Sequence, residues 1–247
     1  MQFLLASPVW IFSCLLVVIP TILVSLVILW LVRKSIIGVL YSVILGFMVI
    51  NVQTRYNQAE ETIHTEVTML SDLYRDADFL PLKSRVPIRS ALRTYVDYVI
   101  HVEWKLPSSE TTRRGSQKIL RELWNRYYSV DLQDEKVRIW YEQTISKLDQ
   151  LMNARLARQF SSKEHLGGMM WSLLLIGAMI TIGFMFFFGL ENMRSQMLMT
   201  ALLAGYLSFI LYLVFTLDHV FKGPKAIQPV AFKQVLVTFD QWDPAIE

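Results

Sequence analysis

The sequence predicts an all-α integral membrane protein in which four transmembrane helices, paired as two hairpins, bracket an inserted helical extramembrane domain. Three observations lead there. Of the 247 residues, 53% are apolar and the mean hydropathy is +0.37, where soluble domains sit near 45–50% apolar. The charges are segregated: residues 1–32, 35–54, 166–190 and 195–217 carry none, whereas 53–165 hold 18 of the 24 Lys and Arg and 16 of the 21 Asp and Glu. Outside the charge-free runs, apolar residues recur at helical spacing and nothing reads as a strand.

The N-terminus opens on an apolar run without a basic leader segment. That run exceeds the roughly 7–15 residues of a signal-peptide core, so the first helix is expected to stay in the mature protein. A bilayer core needs about 20 apolar residues in helix. Residues 8–32 supply the first span, with Pro20 expected to kink it, and 35–52 supply a shorter second. Residues 166–190 and 195–217 supply the third and fourth. Arg33-Lys34 and residues 191–194 close the two hairpins. The domains read as 1–52 for the first hairpin, 53–165 for the helical domain, 166–217 for the second hairpin and 218–247 for a C-terminal tail.

An even number of spans puts both termini and the middle domain on one side. Arg55, Arg155, Arg158, Lys163, Lys222, Lys225 and Lys233 flank the spans on that side, against Arg33, Lys34 and Arg194 on the other. Positive charge marks the cytoplasmic face, so termini and domain are expected in the cytoplasm.

The second span has no Gly or Pro from Asn51 to Pro81. Tyr56, Ile63, Val67, Leu70 and Tyr74 recur at helical spacing, which predicts one helix over residues 35–76, half in lipid and half in water. Pro81 and Pro87 mark a turn. Ile88, Leu92, Tyr95, Val96 and Val99 then form a stripe ending near Trp104. Pro107-Ser108-Ser109-Glu110 reads as a hydroxyl-capped helix start, followed by Ile119, Leu120, Leu123, Trp124 and Tyr127. Val137, Trp140, Ile145, Leu148, Met152 and Leu156 mark a further helix over 132–160.

Several function classes find no support. The middle segment is nearly neutral, with no basic stripe and interleaved aromatics for nucleic acid. The one cysteine, Cys14, makes neither an internal disulfide nor a CxxC metal site. His64, His101, His165 and His219 are scattered, without HExxH spacing, and no GxSxG elbow or phosphate-cradling loop appears. The expectation is a protein that is not an enzyme and uses no cofactor or metal. A transporter is disfavoured because no ionisable residue lies mid-span.

The second helix carries two stripes. Gly38, Ser42 and Gly46 repeat every four residues, the small-residue pattern that lets helices approach closely in lipid. Roughly opposite run Leu40, Ile44, Phe47, Asn51, Thr54, Gln58 and Glu61, which pass from apolar to polar to acidic. Such a line suits a pore whose hydrophobic neck opens into a polar vestibule, with Glu60 and Glu66 as further vestibule charges. The plainer reading is an ordinary helix leaving the membrane.

Several local patterns resemble a known family. They are Glu66-x3-Leu70-x2-Leu73-Tyr74, Leu80-Pro81, Arg89-x2-Leu92-x2-Tyr95 and Glu103-Trp104. Trp171 and Leu217-Asp218-His219-Val220-Phe221-Lys222-Gly223 complete the set. The order of two spans, cytoplasmic helices and two spans resembles bestrophins. The local signature is more similar to the bacterial bestrophin-like domain family, although Val220 stands where that family's pattern has proline. The resemblance runs from Asn51 to about Leu236. It implies a homo-oligomeric, channel-like protein in the lipid bilayer that passes ions, with Asp218, Phe221 and Gly223 shaping the turn after the fourth span. The competing class is a non-conducting membrane scaffold or sensor whose cytoplasmic helices bind a partner.

Overall fold

The absence of Gly and Pro beyond Gly46 has its expected result: one helix, α1, runs unbroken over Ile36–Asp76. At 1.5 Å per residue, its 41 residues span roughly 60 Å. The computed structural model describes residues 36–106, 109–133, 135–188 and 192–243. The first expected span, residues 8–32, lies outside them. Among the described residues every regular element is helical. They are α2 (Leu82–Tyr98), α3 (Glu110–Tyr128), α4 (Glu135–Ser161), α5 (Gly168–Phe184), α6 (Met193–Asp218) and α7 (Val230–Trp242), with short 3-10 and π turns between.

The chain divides into two units. The first contains the start of α1, with α5 and most of α6. Within it Tyr41 is buried, and its hydroxyl donates to the carbonyl of Leu174 at 2.7 Å. Gly177 makes this approach possible: a Cβ there would stand 2.4 Å from the Tyr41 ring. A single extra methyl would separate α5 from α1 at this point. Two helices, a window of α1 and all of α6, are long and apolar enough to cross a membrane, and α5 is a shorter apolar helix of 17 residues.

The second unit contains residues 50–166 and 213–247. Its core draws Leu70, Leu73 and Tyr74 from α1, Ile88, Leu92 and Tyr95 from α2, Leu120, Leu123 and Tyr127 from α3, and Leu148 and Leu151 from α4. All recur at three- and four-residue spacing, the signature of one apolar face per helix. α7 lays Phe232, Val235 and Phe239 on the same core. Burying such side chains is worth roughly 1.5–3 kcal/mol each, so the segment read as a tail is a structural part of the domain.

Three local details depart from expectation. Pro87 does not end the turn; α2 begins at Leu82 and passes through it. As the sixth residue of α2 it removes one ladder bond, to the Lys83 carbonyl, while the Pro87 carbonyl itself accepts the Arg126 guanidinium. Ser109 stands at the N-cap of α3 without capping through its hydroxyl. The Thr112 hydroxyl instead donates to the carbonyls of Leu106 and Ser109 at 2.9 and 3.0 Å. Finally, α2 closes in a π turn, Val99–Glu103, where the Trp104 amide reaches back to Val99 at 2.9 Å. The wider turn places Glu103 in the core.

Candidate functional site

Four arrangements carry the functional reading, each lying along or beside α1. On α1 itself, Leu40, Ile44, Phe47, Asn51, Thr54, Gln58 and Glu61 are all exposed, as is Glu60. Val52, Ala59, Ile63 and Leu70 are buried, so below Asn51 the helix has one face on the core and one turned away. The outer face there is polar almost throughout: Asn51, Gln53, Thr54, Asn57, Gln58, Glu60, Glu61, His64 and Thr65. Gln53 and Asn57 bond to each other along it at 2.8 Å. Above Asn51 exposure extends beyond the stripe to Val39, Val43 and Ile50.

Gly38, Ser42 and Gly46 were expected to pack. A Cβ at Gly38 or Gly46 would meet nothing within 4 Å among the described residues. The three line an apolar cleft of about 420 Å³ with Thr181, Tyr206 and Leu207.

Glu66 is a correction to the vestibule reading. It is 0% exposed and belongs to a buried charge cluster. Arg158 Nε and Nη2 donate to its two oxygens at 2.6 and 3.1 Å, and the Tyr95 hydroxyl donates to Oε1 at 2.5 Å. Arg158 Nη1 also lies 3.3 Å from Glu103 Oε1, which accepts the Gln159 amide at 2.8 Å. The guanidinium sits 5.6 Å from the Phe232 ring centre and 5.7 Å from that of Trp104. Burial works against the Arg158 charge, but Glu66 and Glu103 outweigh it and hold the group above its ordinary pKa. Burial, with Glu66 next, pushes the Tyr95 phenol well above its ordinary value. A buried charge requires such pairing because leaving water costs several kcal/mol per ion. α1, the π turn, α4 and α7 all meet at this lock.

The turn after α6 is the third arrangement. Asp218 is buried, and its Oδ1 accepts the Leu166 amide at 2.7 Å and lies 3.7 Å from Arg55. Phe221 meets Trp104 edge-on at 5.7 Å, and the Trp104 indole donates to the Ile227 carbonyl at 3.1 Å. Gly223 has φ +98°, a conformation that costs an L residue with a Cβ. Thus Asp218, Phe221 and Gly223 each have a distinct job: holding, packing and turning.

The fourth arrangement fastens α7. Tyr74 stacks on Phe239 at 3.8 Å, and its hydroxyl donates to Asp243 Oδ2 at 2.5 Å. Arg93 donates to the Tyr74 hydroxyl, Asp240 and Asp243 at 2.9, 2.6 and 2.8 Å, and Arg89 donates to Asp243 at 3.0 Å. Burial, then the Asp243 bond, raises the Tyr74 pKa to about 12. Burial alone would raise that of Asp243, but the Tyr74 and Arg93 bonds outweigh it and lower the carboxyl. Neither the π turn nor this fastening has a local sequence signal; Phe232, Val235 and Phe239 at helical spacing do mark α7.

Among the described residues every regular element is helical, two helices are long and apolar enough to cross a membrane, and the helical domain is wired by buried ion pairs. The chain belongs to the Bestrophin-like domain family, which it matches over residues 21–232. Among curated proteins none matches. A bacterial bestrophin homolog from Klebsiella pneumoniae superposes with a TM-score of 0.66 at 16% identity, covering 85% of this chain and 87% of that one. A point variant of that homolog gives the same TM-score and identity over 94% and 97%. A structure described as a membrane protein gives 0.66 at 15% identity over 84% and 85%. These likenesses show the fold.

Proposed function

We propose that the chain assembles as a homo-oligomer around an axis lined by α1 and passes ions across the membrane. One observation carries this reading: each of the seven stripe residues is exposed, while the other side of α1 below Asn51 is anchored in the core. An outer face of side chains that turns from apolar to polar along one line matches a dry neck followed by a wet vestibule. The family likeness supports the same reading, since channel activity and oligomers are what that resemblance implies. Glu60 and Glu61 lie at the polar end of the line; Glu66 serves the lock instead. Four spans with both termini and the middle domain in the cytoplasm complete the proposal, supported by the seven-to-three excess of Lys and Arg on that side. We assign the chain neither an enzymatic activity nor a nucleic-acid partner.

Cysteine accessibility tests the lining. In a chain with Cys14 replaced, cysteines at Ile44, Asn51 and Gln58 should react with membrane-impermeant thiol reagents. Cysteines at Tyr41, Val52 and Ala59, which are buried, should not. Equal reaction at all six positions, together with silent bilayers, would leave a non-conducting scaffold as the reading.

A further inference from the structure

The segment leading into α5 and the end of α6 bring two histidines together that the functions above do not use. The rings of His165 and His219 lie 5.1 Å apart at an interplanar angle of 23°. His165 Nδ1 is 3.2 Å from the carbonyl of Asp218, and His219 Nδ1 is 2.9 Å from that of Phe215. A carbonyl oxygen only accepts, so these contacts place the proton of each neutral imidazole on Nδ1 and leave the Nε2 lone pair bare. Among the described residues neither Nε2 has a hydrogen-bond partner. Histidines that bind metals are held this way, with the far nitrogen donating to a carbonyl or carboxylate and the near one open.

Distance agrees with that use. Two imidazoles sharing a tetrahedral ion through Nε2, at about 2.0–2.1 Å each, have ring centres about 5 Å apart. His165 is exposed and His219 partly so, so an ion reaches them from water. No third His, Cys, Asp or Glu joins them among the described residues, and water fills the remaining positions.

We propose that His165 and His219 form an open, exchangeable site for a first-row divalent ion of the zinc, nickel or copper kind. Imidazole nitrogen selects these ions over calcium and magnesium, which prefer oxygen. Occupied, the site ties the entry to α5 to the end of α6 beside the Asp218 turn. It stands independently of the pore reading.

The test uses the full chain in detergent, purified without a polyhistidine tag and stripped with chelator. Co2+ is titrated, its visible absorption bands are followed, and Zn2+ is then added as competitor. Saturable binding, displaced by Zn2+ but not by Ca2+, is expected. His165→Gln and His219→Gln should each weaken Co2+ binding at least about tenfold, comparable to losing a metal-site contact. His101 makes the same Nδ1 contact, 3.0 Å to Asp97 O, with no second imidazole beside it, so His101→Gln should leave binding unchanged. Because His165 is exposed, its variant keeps the fold and decides the matter even if the His219 variant is destabilised. Unchanged Co2+ binding in His165→Gln, or equal weakening in His101→Gln, would overturn the proposal.

Discussion

Arg158→Met isolates the lock, because methionine keeps an apolar stem in the same space while removing the charge. Arg158, Glu66 and Glu103 are 2%, 0% and 1% exposed at their side chains, so the substitution strands two carboxylates in the core. Breaking a buried pair from one side costs about 3–5 kcal/mol. For a chain of this size each kcal/mol shifts the melting temperature by roughly 2–4 °C, so a fall of about 6–20 °C is expected. Intrinsic tryptophan fluorescence in detergent reads it directly, since Trp104 lies against the guanidinium. Adding Glu66→Gln to Arg158→Met should recover stability, because it removes one of the stranded charges, whereas alone it is destabilising. Strictly additive losses, or an Arg158→Met melting point within about 2 °C of the parent, less than 1 kcal/mol, would refute the coupling.

Three other outcomes follow from the structure. A Cβ at Gly115 would fall 1.9 Å from the Tyr98 hydroxyl; Gly115→Ala should therefore cost about 1–3 kcal/mol by overpacking, and a Tyr98→Ala background should relieve most of that added cost in a thermal melt. The α7 fastening should depend on pH at both ends. Asp243 is lowered, so its stabilisation is present above its ordinary pKa of 3.8 and lost as pH falls through the folded value. Tyr74 is raised, so its contribution is full below 10 and lost as pH rises through about 12. Tyr74→Phe should diminish the alkaline limb of a fluorescence titration, to which the raised Tyr95 and Tyr127 phenols also contribute, and an unaltered limb would show that other groups alone cause it. A cytoplasm-dependent reporter fused after Glu247, or inserted at Ser109, should be active in cells; export of either would reverse the proposed orientation.

Much of the helical plan is written locally. The uninterrupted run after Gly46 gives α1, and apolar residues three and four apart give the buried faces of α2, α3 and α4. The family signature turns out to be a wiring list: Glu66 bonds Tyr95, Arg89 sits 4.6 Å from the Tyr74 ring, and Trp104 meets Phe221. What sequence cannot convey is which partner a charge will find. Glu66 and Glu61 look alike in the chain, yet Arg158, 92 residues further on, buries one while the other stays exposed. The π turn was equally hidden, since it serves to deliver Glu103 to that same distant arginine. α7 was legible in principle from Phe232, Val235 and Phe239, but its short stripe gains meaning only once a core exists to receive it. Gly38, Ser42 and Gly46 show the reverse problem: a close-packing pattern is plain in the chain, and no described side chain fills it.

The central claim is tested most directly by recording the purified protein, its oligomeric mass verified, in planar bilayers beside the double variant Ile44→Ala, Phe47→Ala. A pore lined by α1 predicts discrete ionic currents in the parent. It predicts higher leak in the variant, because shrinking two large apolar side chains widens and wets the neck. Silent bilayers from a verified oligomer, parent and variant alike, would contradict it.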